Sequence, residues 1–84
     1  MRIDCKTYLE VDEIDHLTIR VRKGEPLDRT TAIGMIRFYT ATNETVKAAF
    51  GGAPLTLTAL APLPDEEIYD MLIKIRTALI NTVL

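Results

Sequence analysis

The chain has no serine, a single cysteine (Cys5) and a single histidine (His16) in 84 residues. Without serine, every serine-nucleophile mechanism is excluded, and one thiol with one imidazole leaves few nucleophile and base pairs to assemble. One cysteine also forbids an intramolecular disulfide, whereas small secreted scaffolds normally carry several. A reducing compartment, the cytoplasm, is the expectation. No apolar run approaches the roughly 18 residues of a membrane span, and Met1-Arg2-Ile3-Asp4-Cys5-Lys6 puts charges where a signal peptide needs an apolar stretch. An excess of positive charge is lacking too: ten Lys and Arg face twelve Asp and Glu, for a net charge of -2. Up to Thr42 there are seven cations and seven anions, and beyond it three and five, so neither half is a basic arm.

What is present is the composition of a folding domain. Hydrophobic residues make up 48% and charged residues 26%, far from the sparse hydrophobicity and high net charge of disorder. The chain is too short for two independent cores, so residues 1–84 are expected to form one domain that exposes about 5,000 Å² when folded.

Along the chain, Ile3, Cys5, Thr7, Leu9 and Val11 alternate with Asp4, Lys6, Tyr8 and Glu10. This period of two predicts a half-buried strand. Asp12-Glu13-Ile14-Asp15 reads as a polar turn, and Leu17, Ile19 and Val21 alternating with His16, Thr18, Arg20 and Arg22 predict a second strand, ended by Lys23-Gly24-Glu25-Pro26. The β-branched and aromatic residues of 32–42, with Gly34 inside, predict a third strand. Here a helix capped by Asp28 and running through Ile33 and Ile36 is the alternative. Asn43 followed by good helix formers and the Gly51-Gly52 pair predicts a short helix. Leu55 to Leu60, between Pro54 and Pro62, reads as a fourth strand.

The clearest helical signal is the last. Pro64-Asp65-Glu66-Glu67 supplies a start with acids in the first turn, and a helix is expected from about Asp65 to the end. Ile68, Met71, Leu72, Ile75, Ala78, Leu79 and Val83 fall on one broad face. Tyr69, Ile73, Ile80 and Leu84 form a second stripe about 120° round from it. The expected fold is therefore α+β, with two layers: a three- to four-stranded sheet packed by the long C-terminal helix, in the order β-β-β-α-β-α.

Candidate chemistry is thin. His16 has Glu10, Asp12, Glu13 and Asp15 nearby in sequence, but a calcium loop counted from Asp12 would need Gly and Glu where Leu17 and Lys23 stand. A solvated acidic turn is the reading, with no metal and no cofactor. Cys5 falls on the inward face of the first strand and is expected to be a buried, inert thiol. Gly51-Gly52 follows a helix, unlike phosphate loops, and reads as a C-cap. Arg20, Arg22 and Lys23 form a cationic cluster able to touch phosphate, although Asp4 and Glu10 offer ordinary cross-strand partners.

The function expected from these features is a non-enzymatic protein-interaction module. It would form a homodimer, or bind another protein, through Tyr69, Ile73, Ile80 and Leu84. Weak nucleic-acid binding through Arg20, Arg22 and Lys23 is the alternative, and a small enzyme with a cryptic site comes third.

Overall fold

The computed structural model describes the backbone of residues 5–81 and the side chains of residues 8–81. Over that span the chain is all helical: α1 (Cys5–Arg22), α2 (Arg29–Thr42), α3 (Glu44–Ala49), α4 (Leu57–Leu60) and α5 (Asp65–Asn81). The expected α+β class is corrected, because no strand occurs among the described residues. Both helices outside the expected sheet, α3 and α5, are where the caps placed them.

The first two expected strands and the turn between them are one continuous helix. Ile14, assigned to the turn, is fully buried, and the buried or half-buried positions Val11, Ile14, Leu17, Thr18 and Val21 recur every three or four residues. Leu9 and Ile19, placed inward by the alternation, are exposed. Alternation and helical spacing share several positions in a stretch this rich in β-branched residues, and burial against a neighbouring helix decided between them. At the end of α1, Glu25 N–H donates to the Arg20 carbonyl (3.0 Å) and Gly24 N–H to that of Val21 (3.0 Å). This closure needs the positive φ of Gly24, 94°. The glycine does end an element, but the element is a helix.

The third expected strand is α2, the capped alternative. Asp28 accepts from Thr31 N–H (3.2 Å) and from the Thr31 hydroxyl (2.7 Å), and these bonds hold its carboxyl below the usual range. Asn43 ends α2 by donating its N–H to the Tyr39 carbonyl (3.0 Å), and its side chain caps α3 by accepting from Val46 N–H (3.1 Å). Gly51, with φ 92°, closes α3 in the same way as Gly24 closes α1.

From α3 the chain returns along α2. The buried Thr40 hydroxyl donates to the Ile36 carbonyl (2.7 Å) and accepts from Leu55 N–H (3.1 Å). Residues 55–60, the fourth expected strand, contain α4 instead, capped by Thr56 and anchored by the fully buried Leu60. Beyond it the Ala61 carbonyl accepts from Arg29 at the start of α2 (3.1 Å).

Helix α5 is the common partner of α1, α2 and α3. It buries Ile68, Leu72, Ile75, Ala78 and Leu79, most of the broad face predicted for it. Arg22 meets Tyr69 and Asp15 meets Arg76, so numbers that rise along α1 fall along α5 and the two run antiparallel. The Arg29–Asp65 pair, at 2.7 Å, joins the first residues of α2 and α5, which therefore start at the same end. The molecule is flattened, 37 × 30 × 14 Å, with an accessible surface of 5346 Å², close to the expected area.

Candidate functional site

Among the described residues no set of three His, Cys, Asp or Glu side chains is placed to hold a metal. His16 is exposed on α1, and Asp15 beside it is taken by Arg76 at 2.6 Å. The Cys5 side chain lies outside the described residues, as do Asp4 and Leu84.

Two members of the basic cluster are engaged within the chain. Arg20 binds Glu25 (3.0 Å), and Arg22 donates to the Tyr69 hydroxyl (3.2 Å), which raises the Arg22 pKa. Lys23 is exposed in the turn after α1. Arg20 and Arg22 sit on the last turn of a helix rather than on one strand face, Lys23 lies just beyond it, and the first two already have partners.

The second stripe of α5 lies along α1. Tyr69 and Arg76 both reach α1, and Ile73 and Ile80 project on the same side of α5. Tyr69, Ile73 and Ile80 are half-buried there. Helix α1 lies against this side of α5, so the stripe has a neighbour within the same chain.

A cleft at the shared end of α1, α2 and α5 is lined by Val21, Leu27, Tyr69 and four acids: Glu25, Asp65, Glu66 and Asp70. Arg20 and Arg29 neutralise two of these. The remaining negative charge lies in the first turns of α5, where the helix dipole favours it.

The outer face of α2 is different. Its exposed residues are Thr30, Thr31, Gly34, Arg37, Phe38, Ala41 and Thr42, with Arg37 the one charge among them. Phe38 is 55% exposed and rests edge-on against Tyr39, ring centres 5.4 Å apart. Leu57, from α4, is 52% exposed and joins Gly34 and Arg37 along one shallow groove. Pro54, Leu55 and Ala41 continue the apolar lining. At Gly34 an added Cβ would meet nothing within 4 Å, so the protein's own packing makes no use of this glycine. In a helix interior it costs about 1 kcal/mol relative to Ala.

The two flanks of this strip carry opposite charge. On the α1 side, Glu10 and Glu13 line a groove with Gly34, Met35, Phe38 and Tyr39. On the α4 side stands Arg37, with Arg29 further along. Arg37, Glu10 and Glu13 belong to no ion pair among the described residues, unlike Arg29. Burial, and then Glu10 and Glu13, push the Tyr39 phenol up to about 12. The sequence reading missed this surface because it made 32–42 a strand. The available signal was the Thr30, Gly34, Phe38 and Ala41 spacing once a helix from Asp28 is granted.

No family model matches the chain, and no curated protein or solved structure is significantly similar to it. No helix among the described residues is long and apolar enough to cross a membrane.

Proposed function

We propose that this protein is a non-enzymatic interaction module that self-associates. The observation that carries this reading is the outer face of α2, where Phe38 and Leu57 leave more than half of their surface in water beside Gly34, Ala41 and Pro54. Aromatic side chains on such a face supply much of the binding energy at interfaces, while a single charge among seven exposed residues keeps the desolvation cost low. Among the described residues the one histidine is exposed and no cluster of three His, Cys, Asp or Glu side chains forms, which leaves the apolar face of α2 as the stronger basis for a function. In this reading the half-buried stripe of Tyr69, Ile73 and Ile80 would serve a partner only after α1 had moved away.

Sedimentation equilibrium between 5 and 300 μM tests the proposal. Wild type is expected to dimerise within this range, because a helix of 14 residues is about 21 Å long and buries a patch at the small end of stable interfaces. Phe38→Asp should remain helical by circular dichroism and sediment as a monomer throughout. A wild-type monomer at 300 μM, or a dimer untouched by Phe38→Asp, would refute it.

A further inference from the structure

We infer that two copies of this chain pair through α2 in parallel, about a twofold axis that runs along the helix, with Arg37 of each copy facing Glu10 and Glu13 of the other. The inference rests on the proposed self-association and adds its geometry.

Charge placement and height along the helix carry it together. Glu10 and Glu13 lie on one side of the Gly34–Phe38 strip and Arg37 on the other. A twofold axis along α2 exchanges left and right while keeping each residue at its own height. The acidic flank of one copy therefore meets the basic flank of the other, twice. Glu10 and Glu13 share their groove with Met35, Phe38 and Tyr39, so they stand level with the turn of α2 that contains Arg37. The opposite charges thus arrive at matching height as well as on matching sides. A twofold axis across the helix would instead make the pairing antiparallel and set acid against acid and Arg37 beside its own copy. Charge arrangements of this kind choose one orientation among several that bury similar apolar area.

Gly34 suits the same geometry. It lies at the centre of the strip with open space before it, so two α2 backbones could approach at this point without a side chain between them. Phe38 and Ala41 of each copy then cover their counterparts. An isologous contact of this form uses one patch twice and closes on itself.

Charge reversal with complementation tests the orientation. Arg37→Glu makes both flanks acidic, and Glu10→Lys with Glu13→Lys makes both basic, so each variant alone should dimerise at least tenfold more weakly than wild type. Mixed in equal amounts, the two should form a heterodimer within about threefold of wild-type affinity, and a chain carrying all three substitutions should recover the homodimer. All three positions lie on the surface or half-buried, and helicity is checked by circular dichroism. If one variant fails to fold, the triple variant and the other single-flank variant still decide. Variants that dimerise like wild type, or a mixture no tighter than its components, would overturn the parallel pairing. Should wild type dimerise with sensitivity to Phe38→Asp while complementation fails, the self-association stands and only this geometry falls. A monomeric wild type removes both.

Discussion

Helices α1 and α2 form neighbouring arms of the same small domain, yet they are built on opposite terms. Helix α1 packs chiefly on α5, buries Ile14, Leu17 and Thr18, and turns Asp12, Glu13, His16, Arg20 and Arg22 to solvent. Helix α2 packs on α3, α4 and α5, buries Ala32, Ile33, Ile36, Tyr39 and Thr40, and shows a nearly uncharged outer face. One is a cover whose outside mixes these charges with exposed Tyr8, Leu9 and Ile19. The other is the centre of the core, and its outside carries apolar surface with a single charge. The exposed Phe38 and the adjoining Leu57 are the apolar part of that face, on which the proposed self-association rests.

The largest expected effect probes the inner faces. Ile36→Ala removes a fully buried side chain at the centre of α2 and should cost about 3–4 kcal/mol. This is a large part of the roughly 4–13 kcal/mol total expected for a chain of this size. Ile14→Ala, equally buried but on α1, should cost about 2 kcal/mol, since a helix with one main neighbour relaxes more easily around a cavity. Urea denaturation measures both. Hydrogen exchange should separate them further: Ile14→Ala speeds exchange in α1 while α2 and α5 stay protected, and Ile36→Ala lowers protection everywhere. Equal, global effects would abolish the contrast between cover and core.

A smaller effect of opposite sign concerns the outer face. Gly34→Ala should raise the unfolding free energy of the monomer by about 0.5–1 kcal/mol, because the helix gains propensity and the new methyl meets open space. The same substitution should weaken self-association, because it puts a side chain where two helices approach. A tighter dimer would show that α2 is not the contact.

The smallest effect links the two helices electrostatically. Burial, reinforced by Glu10 and Glu13 of α1, raises the Tyr39 pKa to about 12. The fold holds the phenol neutral, whereas the unfolded chain ionises near pH 10. Its contribution to stability is therefore complete below about pH 10 and is lost as pH rises towards 12. In an alkaline absorbance titration, Tyr39→Phe should lose the component near pH 12, and Glu10→Lys with Glu13→Lys should move that component down. A titration identical in all three proteins would separate α1 from the α2 surface.

How much of this was legible depended on the kind of signal each segment carries. Caps act through local hydrogen bonds and could be read directly: Asn43 and Asp65 start helices, Gly51 ends one, and Asp28 marked the alternative for α2 that the structure adopts, whereas Gly24, read as the end of a strand, ends a helix. The broad face of α5 was readable because Ile68, Leu72, Ile75 and Leu79 recur at helical spacing with acids ahead of them. Helix α1 was not, because its apolar residues are few and β-branched, and Leu9, Val11, Leu17, Ile19 and Val21 satisfy a period of two as well as some positions of a helix. Only Ile14 discriminated, and it was hidden among acids that read as a turn. Of the candidate surfaces, the α5 stripe was read from the sequence, but its relation to α1 could not be. The α2 face was lost with the strand assignment.

The amino-acid sequence by itself determined composition, charge balance, the start of α5 and the glycine closure of α3, because each depends on residue type or on contacts within a few positions. The tertiary structure alone decided that α1 and α2 are helices, that α1 lies on the second stripe of α5, and that Glu10 and Glu13 stand across the Gly34–Phe38 strip from Arg37. For weakly amphipathic, β-branched segments, intrinsic propensity differs between helix and strand by less than about 1 kcal/mol per residue. Burial of Ile14, Ile36 and Leu72 against one another's helices outweighs that difference, and such burial exists only once the chain has folded.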